Sequence, residues 1–253
     1  MALVTPVVPP VAPRIVTPIV ALDVPDRAGA EALVARLGAH CGYYKVGLEL
    51  FSAEGPAIVA WLRDQGKQVF VDLKLHDIPN TVRGAARSVA RHGAALLTVH
   101  ASGGREMVAA AVDGAAEGSQ SGSPDERCSI LGVTILTSMD AAGVSSAWGR
   151  GAVDVEAEVV RLAGLVADGR GAGIVCSGHE AAAVRASYGD RLGLLIPGIR
   201  LPGGEAHDQR RVMTPQAVAE AGARWLILGR AVTAATDPVA AMAAVHAALA
   251  GVA

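Results

Sequence analysis

The chain has 253 residues, 51% of them apolar and only 3% aromatic, with a formal charge of −2. Such a length and apolar content can bury a large core without disulfides. The near-neutral balance, with no interleaved basic and aromatic stretches, argues against nucleic acid or an anionic membrane surface as a partner.

Residues 1–17 are apolar but broken by prolines at 6, 9, 10 and 13, and they lack a basic leader region. They are expected to form an extended tail rather than a signal peptide. No run of roughly 18 apolar residues follows, so no membrane span is expected. The remaining chain, 18–253, reads as one domain, because no break in composition divides it. Cys41, Cys128 and Cys176 are odd in number and scattered. They fit reduced thiols of a cytoplasmic protein rather than a disulfide frame or a zinc site.

Strands are expected in order at 18–23, 43–48, 68–74, 95–100, 130–136, 172–176, 192–197 and 225–229. Helices are expected between them, near 27–38, 53–66, 79–92, 103–117, 155–168, 179–187, 214–222 and 237–250. Asp26, Thr214 before Pro215, and Asp237 before Pro238 are start signals for three of these helices. The strands are apolar throughout rather than alternating, which marks a parallel sheet buried on both faces. Eight strand-then-helix units in this length predict a closed (β/α)8 TIM barrel, with an open doubly wound sheet as the alternative. Long polar loops near 117–128 and 199–213 lie inside that pattern.

The chemistry of such a barrel sits at the C-terminal ends of its strands. Asp23 ends the first expected strand, Lys45 lies in the second, Asp72 and Lys74 end the third, and His100 ends the fourth. Strand side chains alternate, so Asp72 and Lys74 share a face, opposite Val71 and Leu73. If Val71 and Leu73 pack on the helices, the charged pair points into the barrel mouth, where Lys45 can join it. A strand-end salt bridge would account for one pair alone. Four charges on three consecutive strands are costly to bury unless they pair with each other or with a ligand, and so they predict a site.

A second candidate follows the seventh strand, where PGIRLPGGEAHDQRR carries Arg200 and Gln209 among Gly198, Gly203 and Gly204. The eighth strand ends at Gly229 and Arg230. Alone this is a flexible loop, but at this position in a barrel it suggests a phosphate grip. Together the two features imply a small phosphorylated substrate whose reacting end lies over the second and third strands.

Residues 72–81, DLKLHDIPNT, closely resemble the signature of the orotidine 5'-phosphate decarboxylase family. ALDV, YKVGLEL, TVHASGG, GVTILTSM, IPGIR and LGRAV follow that family's order and spacing, so the resemblance covers roughly 18–250. It implies a barrel enzyme, without metal or organic cofactor, that converts orotidine 5'-phosphate to UMP in the last step of de novo pyrimidine synthesis. It further implies that Asp23 and Lys45 hold ribose hydroxyls, and that Thr137 and Ser138 contact the pyrimidine. Arg200, Gln209, Gly229 and Arg230 match the phosphate grip. Lys45, Asp72, Lys74 and Asp77 match a charged chain, and a homodimer is implied in which Asp77 and Thr81 reach into the neighbouring site.

The chemistry is in keeping with those residues. Loss of CO2 from C6 leaves a vinyl carbanion, which a fixed ammonium beside that carbon can stabilise and then protonate. Lys74 is the candidate, held charged by Asp72 and Asp77. Three other readings remain: a Mg2+-dependent sugar-phosphate decarboxylase or aldol enzyme, a Schiff-base aldolase, and a barrel that only binds nucleotide. His76 and His100 are read as structural, and Trp61, Trp148 and Trp225 as packing residues.

Overall fold

The computed structural model describes residues 16–119, 127–201 and 213–252. Eight parallel strands close into a barrel in chain order. They are β1 (Thr17–Leu22), β2 (Tyr43–Gly47), β3 (Gln68–Leu75), β4 (Leu96–His100), β5 (Ser129–Val133), β6 (Gly173–Val175), β7 (Gly193–Ile196) and β8 (Trp225–Leu228). Closure is direct: β8 pairs with β1 from Thr17↔Trp225 to Val20↔Leu228, which excludes the open sheet.

The helices are α1 (Arg27–Leu37), α2 (Leu48–Glu54), α3 (Ala57–Asp64), α4 (Pro79–Arg91), α5 (Gly104–Gly118), α6 (Ala141–Trp148), α7 (Val155–Asp168), α8 (Ala181–Tyr188), α9 (Pro215–Glu220), α10 (Arg230–Thr233) and α11 (Pro238–Ala250). The three start signals act as caps. Asp26 accepts from the Gly29 amide, Thr214 from Ala217, and Asp237 from Val239 and Ala240. Each supplies an acceptor for an amide that the first helical turn leaves unpaired.

Three local features depart from the expected pattern; one is α10, a single helical turn directly after β8. The helix expected over 53–66 begins only at Ala57, and a separate helix, α2, precedes it from Leu48, because Gly55 turns at φ 63 and Pro56 brings no amide to continue the ladder. The connection after β5 holds an extra helix, α6, capped by the Asp140 carboxylate on the Gly143 amide.

The strands divide their side chains between two apolar layers. Val20, Leu22, Val46, Val69, Val71, Leu97 and Val99 pack outward against the helices. Ile19, Ala21, Tyr43, Phe70, Leu96, Leu131, Leu195, Trp225 and Ile227 fill the barrel interior. Val71 is fully buried in the outer layer and Leu73 packs against it, so Asp72 and Lys74 belong to the inner face, as alternation requires.

The helix that follows β3 is anchored closely. A Cβ on Gly114 of α5 would lie 2.1 Å from the Arg83 carbonyl oxygen of α4, and one on Gly118 would lie 2.1 Å from that of Arg87. Only glycine lets the two backbones approach so closely, and the approach ties down the segment carrying the charged strand end. No helix among the described residues is long and apolar enough to cross a membrane.

Candidate active site

The four charged residues form one chain of alternating sign. The Lys45 ammonium donates to Asp23 Oδ1 at 2.9 Å and lies 3.7 Å from Asp72 Oδ2. The Lys74 ammonium meets the same Asp72 oxygen at 2.9 Å. Register brings them together: Lys45 stands opposite Ala21 of β1, and Gly47 stands opposite Asp72 of β3. The side chains of Asp72 and Lys45 are 14% and 11% exposed, against 63% for Asp23, so the centre of the chain is withdrawn from water. Charges so placed are tolerable because each meets an opposite one.

Lys74 occupies a special place in the backbone. β3 and β4 pair at Val71↔Leu97 and again at Leu75↔Val99, so Asp72, Leu73 and Lys74 oppose Thr98 alone. The bulge puts Lys74 at φ 52, in the left-handed region that side chains other than glycine avoid. Such bulges re-aim side chains, and strain of about 1–3 kcal/mol persists only where the surroundings hold it. Here the Thr98 hydroxyl accepts from the Lys74 amide at 2.9 Å and donates to Asp72 Oδ1 at 2.9 Å.

The charged chain opens into a cavity of about 280 Å³ at the C-terminal mouth of the barrel. Asp23, Lys45, Asp72 and Lys74 line one side, and Arg200, Gly229 and Arg230 also line it. Between them lie apolar side chains, including Phe70, Ile135, Leu195 and Ile227, which supply a wall for a flat ring. Among the described residues no group of three or more His, Cys, Asp or Glu side chains is arranged to hold a metal ion.

His76 and His100 lie beside the charged strand end, with ring centroids 5.4 Å apart. Burial pushes the His100 imidazole below its ordinary value, and His76 and Lys74 push the same way against Asp72. His100 is therefore mostly neutral near pH 7. The three cysteines are buried and form no disulfide. Burial pushes the Cys128 thiol up to about 12 and raises that of Cys41, so neither is a nucleophile.

The family profile for "Orotidine 5'-phosphate decarboxylase / HUMPS family" matches residues 17–245. The chain belongs to that family. An orotidine 5'-phosphate decarboxylase of Anaeromyxobacter sp. (strain K) is 51% identical over 229 residues, covering 90% of this chain and 96% of the relative. The enzyme of that name from Moorella thermoacetica is 45% identical, covering 90% of each chain. The crystal structure of orotidine 5'-phosphate decarboxylase from Lactobacillus acidophilus superposes with a TM-score of 0.81 at 33% identity, covering 92% of this chain and 98% of its own.

Of the residues that the decarboxylase family resemblance singles out, Asp23, Lys45, Asp72, Lys74, Thr137, Arg200, Gly229 and Arg230 all line the one cavity. Ser138 stands outside the lining and is exposed, where the chain turns and the Met139 amide bonds back to the Leu136 carbonyl at 2.9 Å. Asp77 and Thr81 are also exposed and outside the lining. The Asp77 carboxylate accepts from the next amide, that of Ile78, at 2.6 Å. Gln209 lies outside the described residues.

Two residues of this decarboxylase-family site stand inside the quoted stretches TVHASGG and YKVGLEL, yet the motifs assign them no role. Thr98 is one; its signal was a hydroxyl on the face shared by Leu96 and His100. Gly47 is the other. A Cβ there would sit 2.9 Å from the Lys45 ammonium and 3.5 Å from Asp23 Oδ1. The Lys45 ammonium is the free end of a long side chain, so Gly47→Ala should move it and leave the fold intact. The expected result is a loss in kcat/KM of roughly tenfold, with Tm within about 3 °C of wild type. Paired steady-state kinetics and thermal melts would check this, and unchanged kinetics would show that Lys45 need not stand beside Asp23.

Proposed function

We propose that this chain decarboxylates orotidine 5'-phosphate to UMP and that Lys74 protonates C6 of the pyrimidine. The observation that carries the reading is the Asp23–Lys45–Asp72–Lys74 chain at the mouth of a cavity also lined by Arg200 and Arg230, in a member of this family. In the reaction the C6–carboxylate bond breaks, CO2 leaves, and the electron pair remains on C6. The Lys74 ammonium faces that developing charge and gives it a proton, and solvent restores the proton to lysine. Two unit charges about 4 Å apart interact by about 4 kcal/mol at an effective dielectric constant of 20, roughly three orders of magnitude in rate if realised only in the transition state.

The other residues bind and orient. Asp23 and Lys45 hold ribose hydroxyls, and Thr137 with Ser138 meets the pyrimidine. Arg200, Gln209, Gly229 and Arg230 take the phosphate, where arginine offers paired donors to its oxygens. Asp72 joins the two lysines and so holds the Lys74 ammonium in place. No organic cofactor or metal enters the scheme.

The working unit is a homodimer in which Asp77 and Thr81 enter the neighbouring site. Their exposure away from their own cavity supports this, as do two large apolar side chains at the rim. Ile78, beside Asp77, is 67% exposed, and Leu48, beside Gly47, is 57% exposed. Large apolar side chains left in water beside these residues would gain by burial in such a contact. Three buried cysteines without a disulfide fit a reducing, cytoplasmic setting.

Loss of orotidine 5'-phosphate absorbance in the presence of EDTA tests the reading. Sustained turnover to UMP is expected. Turnover that requires added Mg2+ would point to the sugar-phosphate alternative, and no turnover at all would sink the assignment.

A further inference from the structure

We propose that Thr98 is a positioning residue for the decarboxylation, acting through Lys74 and Asp72 without touching the substrate. The inference rests on the function proposed above and adds to it the group that holds the acid in place.

Thr98 is fully buried in the middle of β4, on the inward face. A hydroxyl there has one proton to give and two lone pairs to accept with. The structure uses both capacities on the same short segment of the neighbouring strand. The Lys74 amide donates to Thr98 Oγ1, and Thr98 Oγ1 donates to Asp72 Oδ1, each at 2.9 Å.

The ladder explains why a side chain is needed at this point. In a regular parallel pair the amides of β3 would meet carbonyls of β4 at an even spacing. With Asp72, Leu73 and Lys74 set against Thr98 alone, the Lys74 amide falls out of step with those carbonyls. The hydroxyl takes it instead. The φ of 52 at Lys74 is thus held at its own amide, one bond from the strained torsion. The same oxygen orients the carboxylate whose other oxygen holds the Lys74 ammonium at 2.9 Å. One atom therefore fixes the backbone from which the lysine springs and the acid that anchors its far end. A reacting group misplaced by about 1 Å can cost about 100-fold in rate, so the hydroxyl bears on turnover more than on substrate binding.

The test is kinetics on wild type, Thr98→Val, which keeps the branched shape, and Thr98→Ser, which keeps the hydroxyl. Thr98→Ala is compared with Thr98→Ser to repeat the contrast in a smaller side chain should valine not be accepted. The expected result is a fall in kcat of about 10- to 100-fold for valine and alanine, with UMP affinity within about threefold of wild type. Serine should retain kcat within about fivefold. If the hydroxyl were only structural, valine and alanine would lower Tm while the folded enzyme kept its kcat, and the proposal would fall. Equal losses in serine and alanine, or a loss confined to KM, would also overturn it. An inactive wild type would instead remove the decarboxylase reading, which separates the two failures.

Discussion

Lys74→Ala is expected to lower kcat by roughly 10⁴-fold or more while UMP binding changes by less than about tenfold. The size follows from the two tasks assigned to one ammonium: stabilising charge at C6 and delivering the proton. General acid catalysis alone contributes about 10²–10⁴-fold, and loss of an electrostatic donor about 10²–10³-fold, and the two overlap when one group does both. The fold should survive. Asp72 keeps Lys45 at 3.7 Å, so its carboxylate is not left without a cation. Alanine also carries the same Cβ burden as lysine at φ 52, so the bulge is no more strained than before. Single-turnover kinetics and UMP titration would separate chemistry from binding. A variant within tenfold of wild-type kcat would mean that another group protonates C6.

Asp77→Ala is expected to lower kcat/KM by about 10²–10³-fold even though Asp77 does not line the cavity of its own protomer. The reason is the proposed exchange of this carboxylate between subunits, which sets a second acid beside Lys74. A complementation experiment tests that proposed exchange. Co-expressed Lys74→Ala and Asp77→Ala subunits should recover roughly a quarter of wild-type activity, because about half of the dimers are mixed and one of their two sites is intact. Recovery well above that of either parent would require the site to be shared. Absence of recovery from verified mixed dimers would place Asp77 in its own protomer's chemistry, or in the fold of the turn before α4.

Much of this is legible in the sequence alone. Alternation in VFVDLKL places Asp72 and Lys74 on one face, and the buried Val71 bears that out. The caps at Asp26, Thr214 and Asp237 were readable because a cap acts within three residues of itself. The break at Gly55-Pro56 was equally local, yet the apolar spacing across 53–66 hid it. The α6 helix is hidden for a different reason: AAGVSSAW holds a glycine and two serines, poor helix formers, and buries only Val144.

The chain by itself determined which side chains could react. The family motifs, the inward face of β3 and the cations after β7 and β8 are properties of neighbouring residues and their spacing. Tertiary structure decided how those side chains are held. The register shift between β3 and β4, the left-handed backbone at Lys74, and the meeting of Thr98 with both Asp72 and Lys74 depend on how two distant strands pair. The Lys45 ammonium stands beside Gly47, two residues along the same strand, because it reaches across to Asp23 after β1. Strand pairing is a nonlocal choice settled by the packing of the whole barrel, and a period of two cannot encode where one strand takes two residues more than its neighbour.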